Sequence, residues 1–142
     1  MNPNYLHTIT VYNRVRGQDN PSKKDTWTRM VLTDCFYKNV IGKIEDGKTV
    51  RMGNVYTARI PESEKYLPYH EFAKLTEEER TMYFTFNLGD IVVHGVCQEE
   101  ITGMSPNTAA ELLERMKPDA FKVTAFSDNT SHICAKHYRV GG

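Results

Sequence analysis

Short runs of alternating apolar and polar residues recur along the chain, broken by turn residues, and one stretch has a clear helical period. The first run, Tyr5 to Arg14, predicts a strand: Ile9 and Val11 alternate with Thr8, Thr10 and Tyr12, and β-branched side chains dominate. RGQDNPSKKD, from Arg16 to Asp25, offers nothing to bury and is expected to be a long mobile loop. Trp27 to Lys38 predicts a second strand. Trp27, Val31, Cys35 and Tyr37 share one parity, while Met30, Leu32 and Phe36 take the other, so its sheet should be closed or covered on both sides. Glu45-Asp46-Gly47-Lys48 is a tight turn, because Asp-Gly supplies positive φ, and it predicts a hairpin between 40–44 and 49–52. Asn54 to Ile60 reads as a further strand that Pro61 ends.

From Glu62 to Tyr83 the sequence turns polar and helix-prone. Thr76 with Glu79 matches a capping box and predicts a helical turn near 76–82, while Pro68 excludes one long helix. Phe84–Leu88 and Ile91–Val96 are extended across Gly89-Asp90. The helix is Pro106 to Lys117, with Ser105 at the N-cap, Pro106 at the first helical position and Pro118 beyond the end. Ala109, Leu112, Leu113 and Met116 fall on one face. Phe121–Ser127 and Ser131–Val140 form a closing hairpin, followed by a flexible Gly141-Gly142 tail. The pattern predicts a mainly β fold, a small SH3-like or similar β-barrel built as a single domain over 1–142. Its helix, 106–117, should pack over one face or opening, and 62–83 is a partly helical insert.

Composition narrows the function without choosing one. The chain has 142 residues, about one ordinary domain. Eighteen basic residues balance eighteen acidic ones, whereas a protein bound to nucleic-acid phosphates or anionic lipid carries a basic excess. No apolar run approaches the ~18–20 residues that cross a bilayer, and the opening MNPNYLHTITVYN lacks the features of a secretory signal. Cys35, Cys97 and Cys134 are an odd, widely spaced set, which points to a reducing compartment and not a disulfide framework.

Candidate chemistry is sparse. His94 and Cys97 have HxxC spacing, and His132, Cys134 and His137 lie close in sequence, so a small metal or thiol site is the competing functional class. In a strand, however, His132 and Cys134 face away from His137. Glu77-Glu78-Glu79 suits the first turn of a helix, and no Gly-rich phosphate loop is present. No catalytic residue, cofactor or metal is assigned.

The order of segments resembles the head–tail adaptor, or head-closure, proteins of tailed phages. HTITVYNR, a loop, and DTWTRMVLTDCFYKNV are similar to that family's opening strands, and NVYTARIP to its T-x-R-I strand, here Thr57, Arg59 and Ile60. LGDIVVHG resembles the Gly-Asp turn that opens a strand, and FKVTAFSDN…HICAKHYRV the closing hairpin. The insert 62–83 and the helix 106–117 are longer than a minimal adaptor requires, which leaves a tail-completion or minor capsid relative open. The resemblance implies a β-barrel that forms rings between portal and tail and performs no chemistry. Its partners would be a portal or adaptor, a tail component and further copies of itself, in a virion assembled in a bacterial host's cytoplasm. A generic adaptor barrel outside phage biology is the remaining alternative. Two flexible segments are expected to make the contacts: 16–25, with Lys23 and Lys24, and 62–83, with Tyr66, Tyr69 and Phe72 as anchors. The competing role for these aromatics is to cover the barrel's open end.

Overall fold

The computed structural model describes residues 5–47, 49–131 and 136–142. Its strands are β1 His7–Val15, β2 Thr26–Asp46, β3 Thr49–Pro61, β4 Ile91–His94, β5 Ala120–Lys122, β6 Ala125–Asp128 and β7 His137–Gly141. They form one antiparallel seven-stranded sheet, ordered β5-β4-β1-β2-β3-β7-β6 and curled into a half-barrel. Three short helices accompany it: α1 Tyr69–Ala73, α2 Glu77–Arg80 and α3 Ala109–Met116. The mainly β, barrel-like architecture with a packed helix is as the sequence pattern predicts.

β2 is the pivot. Its first half pairs with β1 from Thr26 to Cys35, and its second half pairs with β3 from Phe36 to Asp46. Between His7 and Ile9 the register slips, so that one residue of β1 opposes two of β2, and Asp34 there has φ 58°. This bulge reverses which parity faces inward. Met30 and Leu32 pack inward before it, Cys35 and Tyr37 after it. Apolar residues on both parities of β2 therefore have two causes, the bulge and a sheet covered on both faces.

Inside the curl, Ile9, Val11, Tyr37, Ile60, Val92 and Val140 meet Phe84 and Phe86 from the segment after α2. On the opposite face Tyr12, Ile91 and Val93 are covered by Leu112 of α3 together with Cys97 and Ile101. α3 is shorter than its predicted span. Thr108 is its N-cap, its hydroxyl accepting from the Glu111 N–H at 3.3 Å, and Ser105 and Pro106 lie before it. Leu112 is fully buried, whereas Ala109, Leu113 and Met116 are only partly so.

Other boundaries differ too. The predicted strands 27–38 and 40–44 are one continuous β2, and 49–52 and 54–60 are one β3. Phe84 makes only an isolated bridge to Tyr66, so 84–88 is extended without being a strand. Gly141 and Gly142 are no loose tail. Gly141 pairs within β7, and Gly142 exchanges main-chain hydrogen bonds of 3.0 and 3.2 Å with Tyr56. An added Cβ at Gly142 would run into the Lys122 carbonyl and the Phe121 ring, so only glycine fits where the last strand meets β5.

Candidate assembly interface

The insert 62–83 turns inward. Phe72 is completely buried, Tyr69 is 8 % exposed, and Tyr66 stacks on Tyr138 at 4.1 Å between ring centres. Tyr66 also neighbours Phe84, Phe86 and Phe126, so its partners come from three distant stretches of chain. Tyr69 and Phe72, expected as exposed anchors, are thus buried in the fold's own packing, and Tyr66 is half-buried against it. A side chain without solvent exposure cannot anchor a neighbour unless the segment opens. The capping box does form: the Glu79 N–H donates to the Thr76 hydroxyl, and Glu79 Oε1 accepts from the Thr76 N–H.

The stretch 16–25 is likewise held. It turns through a short 3-10 helix, Gly17–Asp19, and the Gly17 N–H donates to Asp25 Oδ1 at 2.8 Å. Asn20 Nδ2 donates to the Lys24 carbonyl and the Thr26 hydroxyl. The Tyr69 hydroxyl donates to Asp19 at 2.7 Å, and the Arg16 guanidinium lies 4.9 Å from the Tyr69 ring centre. The Tyr69 hydroxyl, with Arg16 beside it, holds the Asp19 carboxyl below its ordinary value. This loop without apolar residues is tied to α1 by polar bonds through Tyr69. Lys23 and Lys24 remain exposed at its far end.

A buried polar junction holds β1 to β4. Asp90 is fully buried and accepts from Asn13 Nδ2 at 3.0 Å, the Arg14 N–H at 3.0 Å and the Asn87 N–H at 2.9 Å. Burial pushes its carboxyl up to about 7, against the pull of these donors and of the nearby Arg14 guanidinium. Gly89 beside it has φ 99°, and a Cβ there would stand 2.8 Å from Arg14 Nη2. The Gly-Asp turn before β4 is therefore a structural clamp.

His94 and Cys97 stay apart. His94 is exposed and stacks on Tyr37 at 4.5 Å, while Cys97 is buried on the other face. His137 lies in β7 opposite Pro61, and His132 and Cys134 fall outside the described residues. Burial pushes the Cys35 thiol up to about 12, which leaves no appreciable thiolate near neutrality. Among the described residues no three His, Cys, Asp or Glu side chains come together as a metal site would need.

The surface that stands out is the far end of the β2–β3 hairpin. β1 leaves β2 at Cys35, and β7 with Gly142 leaves β3 at Tyr56. Among the described residues, the two strands from Val40 to Val55 pair only with each other, as an arm beyond the barrel. Val40 opposes Val55 and Gly42 opposes Gly53 on one face; Ile41, Lys43, Val50 and Met52 share the other. Ile41 is 74 % exposed, Met52 67 % and Val50 56 %. A Cβ on Gly42 would come within 2.6 Å of Val55 Cγ2, so the glycine lets the valine lie flat across the ribbon. A lone two-stranded ribbon is marginally stable in water, and one with apolar residues on both faces is an adhesive surface. The sequence pattern does predict this hairpin, and Gly42 facing Gly53 with apolar residues of both parities is the signal that it stands free.

These features define a class: a curled antiparallel sheet with a capped helix on one face and a protruding apolar hairpin. The chain belongs to a family of unknown function, DUF6751, whose model matches residues 5–142. Searches of the curated proteins and of the solved structures found no match.

Proposed function

We propose that the chain is a non-enzymatic assembly subunit of a tailed phage or prophage. In this proposal it is a ring component of the head–tail connector, in a head-closure or tail-completion position. The projecting arm from Val40 to Val55 is the observation that carries the proposal. An apolar ribbon with no strand partner among the described residues is costly in an isolated protein and useful in a subunit that meets neighbours. The segment order that resembles head–tail adaptors, and the balanced charge, agree with a role among proteins and not on nucleic acid. Its partners are then further copies of itself, a portal or adaptor and a tail component, and its place is the virion after synthesis in the host cytoplasm.

The test is assembly of the full chain with the portal protein encoded in the same genome, followed by native mass spectrometry and electron microscopy. A ring seated on the portal is the expected result. A chain that stays monomeric at high concentration and binds neither portal nor tail components would overturn the proposal.

A further inference from the structure

On the outer face of β2, β3 and β7, at the root of the arm, cations stand together without a described carboxylate to balance them. Ala58, Ile60, Tyr138 and Val140 point into the core, so alternation sends Arg59 and Arg139 to the other side of the sheet. The two arginines are directly opposite each other in the β3–β7 register. Side chains so placed start about 4.5–5.5 Å apart, and like charges there repel. Lys38, opposite Thr57, lies one diagonal step from Arg59 on the same face and is exposed.

The neighbouring carboxylates do not serve this face. Asp128 stands opposite Tyr138, and the charges of Asp128 and Glu62 both bear on the Tyr138 phenol, on the core side of the sheet. Among the described residues none of the three cations makes an ion pair, with Asp34 in the nearby bulge or with any other carboxylate. Arg59 is held by a ring instead. Its guanidinium lies 5.4 Å from the centre of the Phe36 ring, which Tyr5 and His7 flank in turn, and its Nε is buried without a hydrogen-bond partner. Stacking on an aromatic ring fixes the guanidinium plane and leaves donors free for the fork of a carboxylate. A repelling pair of arginines costs the fold stability, and an anion bound across them relieves it.

The surroundings favour an acidic peptide over other anions. Three cations on a chain of zero net charge make a poor nucleic-acid surface. Beside Arg139 an open groove of about 450 Å³ passes Ser127, Thr57 and Gly141. Gly141 sits between Thr57 and Ala125 in the register, so no side chain fills the middle of that row and an extended main chain has room to lie there.

We infer that this face docks an acidic, extended segment of another protein, whose carboxylates bridge Arg59 and Arg139 with Lys38 at the edge. The inference names the chemistry of a partner segment and stands whether or not that partner belongs to a phage. The test titrates the full-length chain into a fluorescein-labelled oligoglutamate peptide, read by fluorescence anisotropy, with oligoglutamine as the uncharged control. Oligoglutamate is expected to bind, more weakly as salt is added, and oligoglutamine is not. Arg59→Gln with Arg139→Gln should weaken binding by about ten-fold or more, and Arg139→Gln alone, at an exposed position, by a smaller factor. Lys65→Gln with Lys74→Gln removes the same charge from the exposed side of the 62–83 insert and should leave binding unchanged. The arginine double variant should melt no lower than the wild type, because a repelling pair has gone. Four results would overturn the inference: no preference for oligoglutamate over oligoglutamine, equal losses in the arginine and lysine variants, tighter binding of an oligothymidylate of equal charge, or an arginine double variant that melts well below the wild type. None of them touches the assembly proposal, which fails only if the chain neither forms rings nor binds portal or tail components.

Discussion

Asp90 shows how one residue can set a pH response. In an unfolded chain its carboxyl would titrate near the ordinary ~3.9, whereas in the fold burial pushes it up to about 7. Between those values the folded chain holds a proton that the unfolded chain has lost, so stability falls as pH rises from about 4 to 7 and levels off above it. Urea unfolding across that range should show the decline. Asp90→Asn should flatten it, because an amide does not titrate there. The same substitution should also cost ~1–3 kcal/mol at the acid end, since one amide NH2 must then face the Arg14 or Asn87 N–H. A wild-type stability that rises with pH over the window would mean that the three donors outweigh burial and keep Asp90 ionised.

Individual residues also mark the limit of what the sequence could tell. Thr76 and Glu79 were legible because a capping box is a local pattern, closed within four residues. Tyr66, Tyr69 and Phe72 were not legible as core residues, because no neighbour in sequence supplies their partners. Tyr66 rests on Tyr138 and Phe126, and Tyr69 on the polar turn at Asp19. An aromatic among charges reads the same whether it meets another subunit or a distant strand of its own chain. Only the fold separates the two.

At the scale of elements, α3 shows the same division. Its apolar face and its place between β segments follow from spacing, but the helix begins at Thr108 and not at Ser105, because the threonine hydroxyl is the one that reaches an N–H of the first turn. Of its apolar residues Leu112 alone is sealed, and it covers Tyr12, Ile91 and Val93. Leu112→Ala should therefore cost ~2–5 kcal/mol as a core truncation, and Leu113→Ala distinctly less. Thr108→Ala should cost ~1 kcal/mol. Equal losses at 112 and 113 in denaturant melts would show that the helix sits differently on the sheet. The strands were legible by alternation but not their joins: β2 runs on through Asn39, where the pattern reads as two strands, and the bulge at Asp34 reverses parity inside 27–38, which puts apolar residues on both of its faces.

At the scale of the whole molecule, the barrel and the arm are separable in energy. Both hydrophobic clusters are built without any residue from 41–54. Val40 and Val55 stand directly opposite each other, so a two-residue Asn-Gly turn can join them in register. A chain shortened in this way should keep its melting temperature within a few degrees, or gain slightly, because it loses exposed apolar surface and a ribbon with no third described strand. It should also be more soluble and should fail to form rings. Retained folding with lost assembly would make the arm a dedicated contact element, carried by the fold and not needed by it. A collapse of the melting temperature would show instead that the ribbon steadies β2 and β3 through the pivot at Phe36, and that its exposed Ile41 and Met52 belong to the stability of the subunit itself.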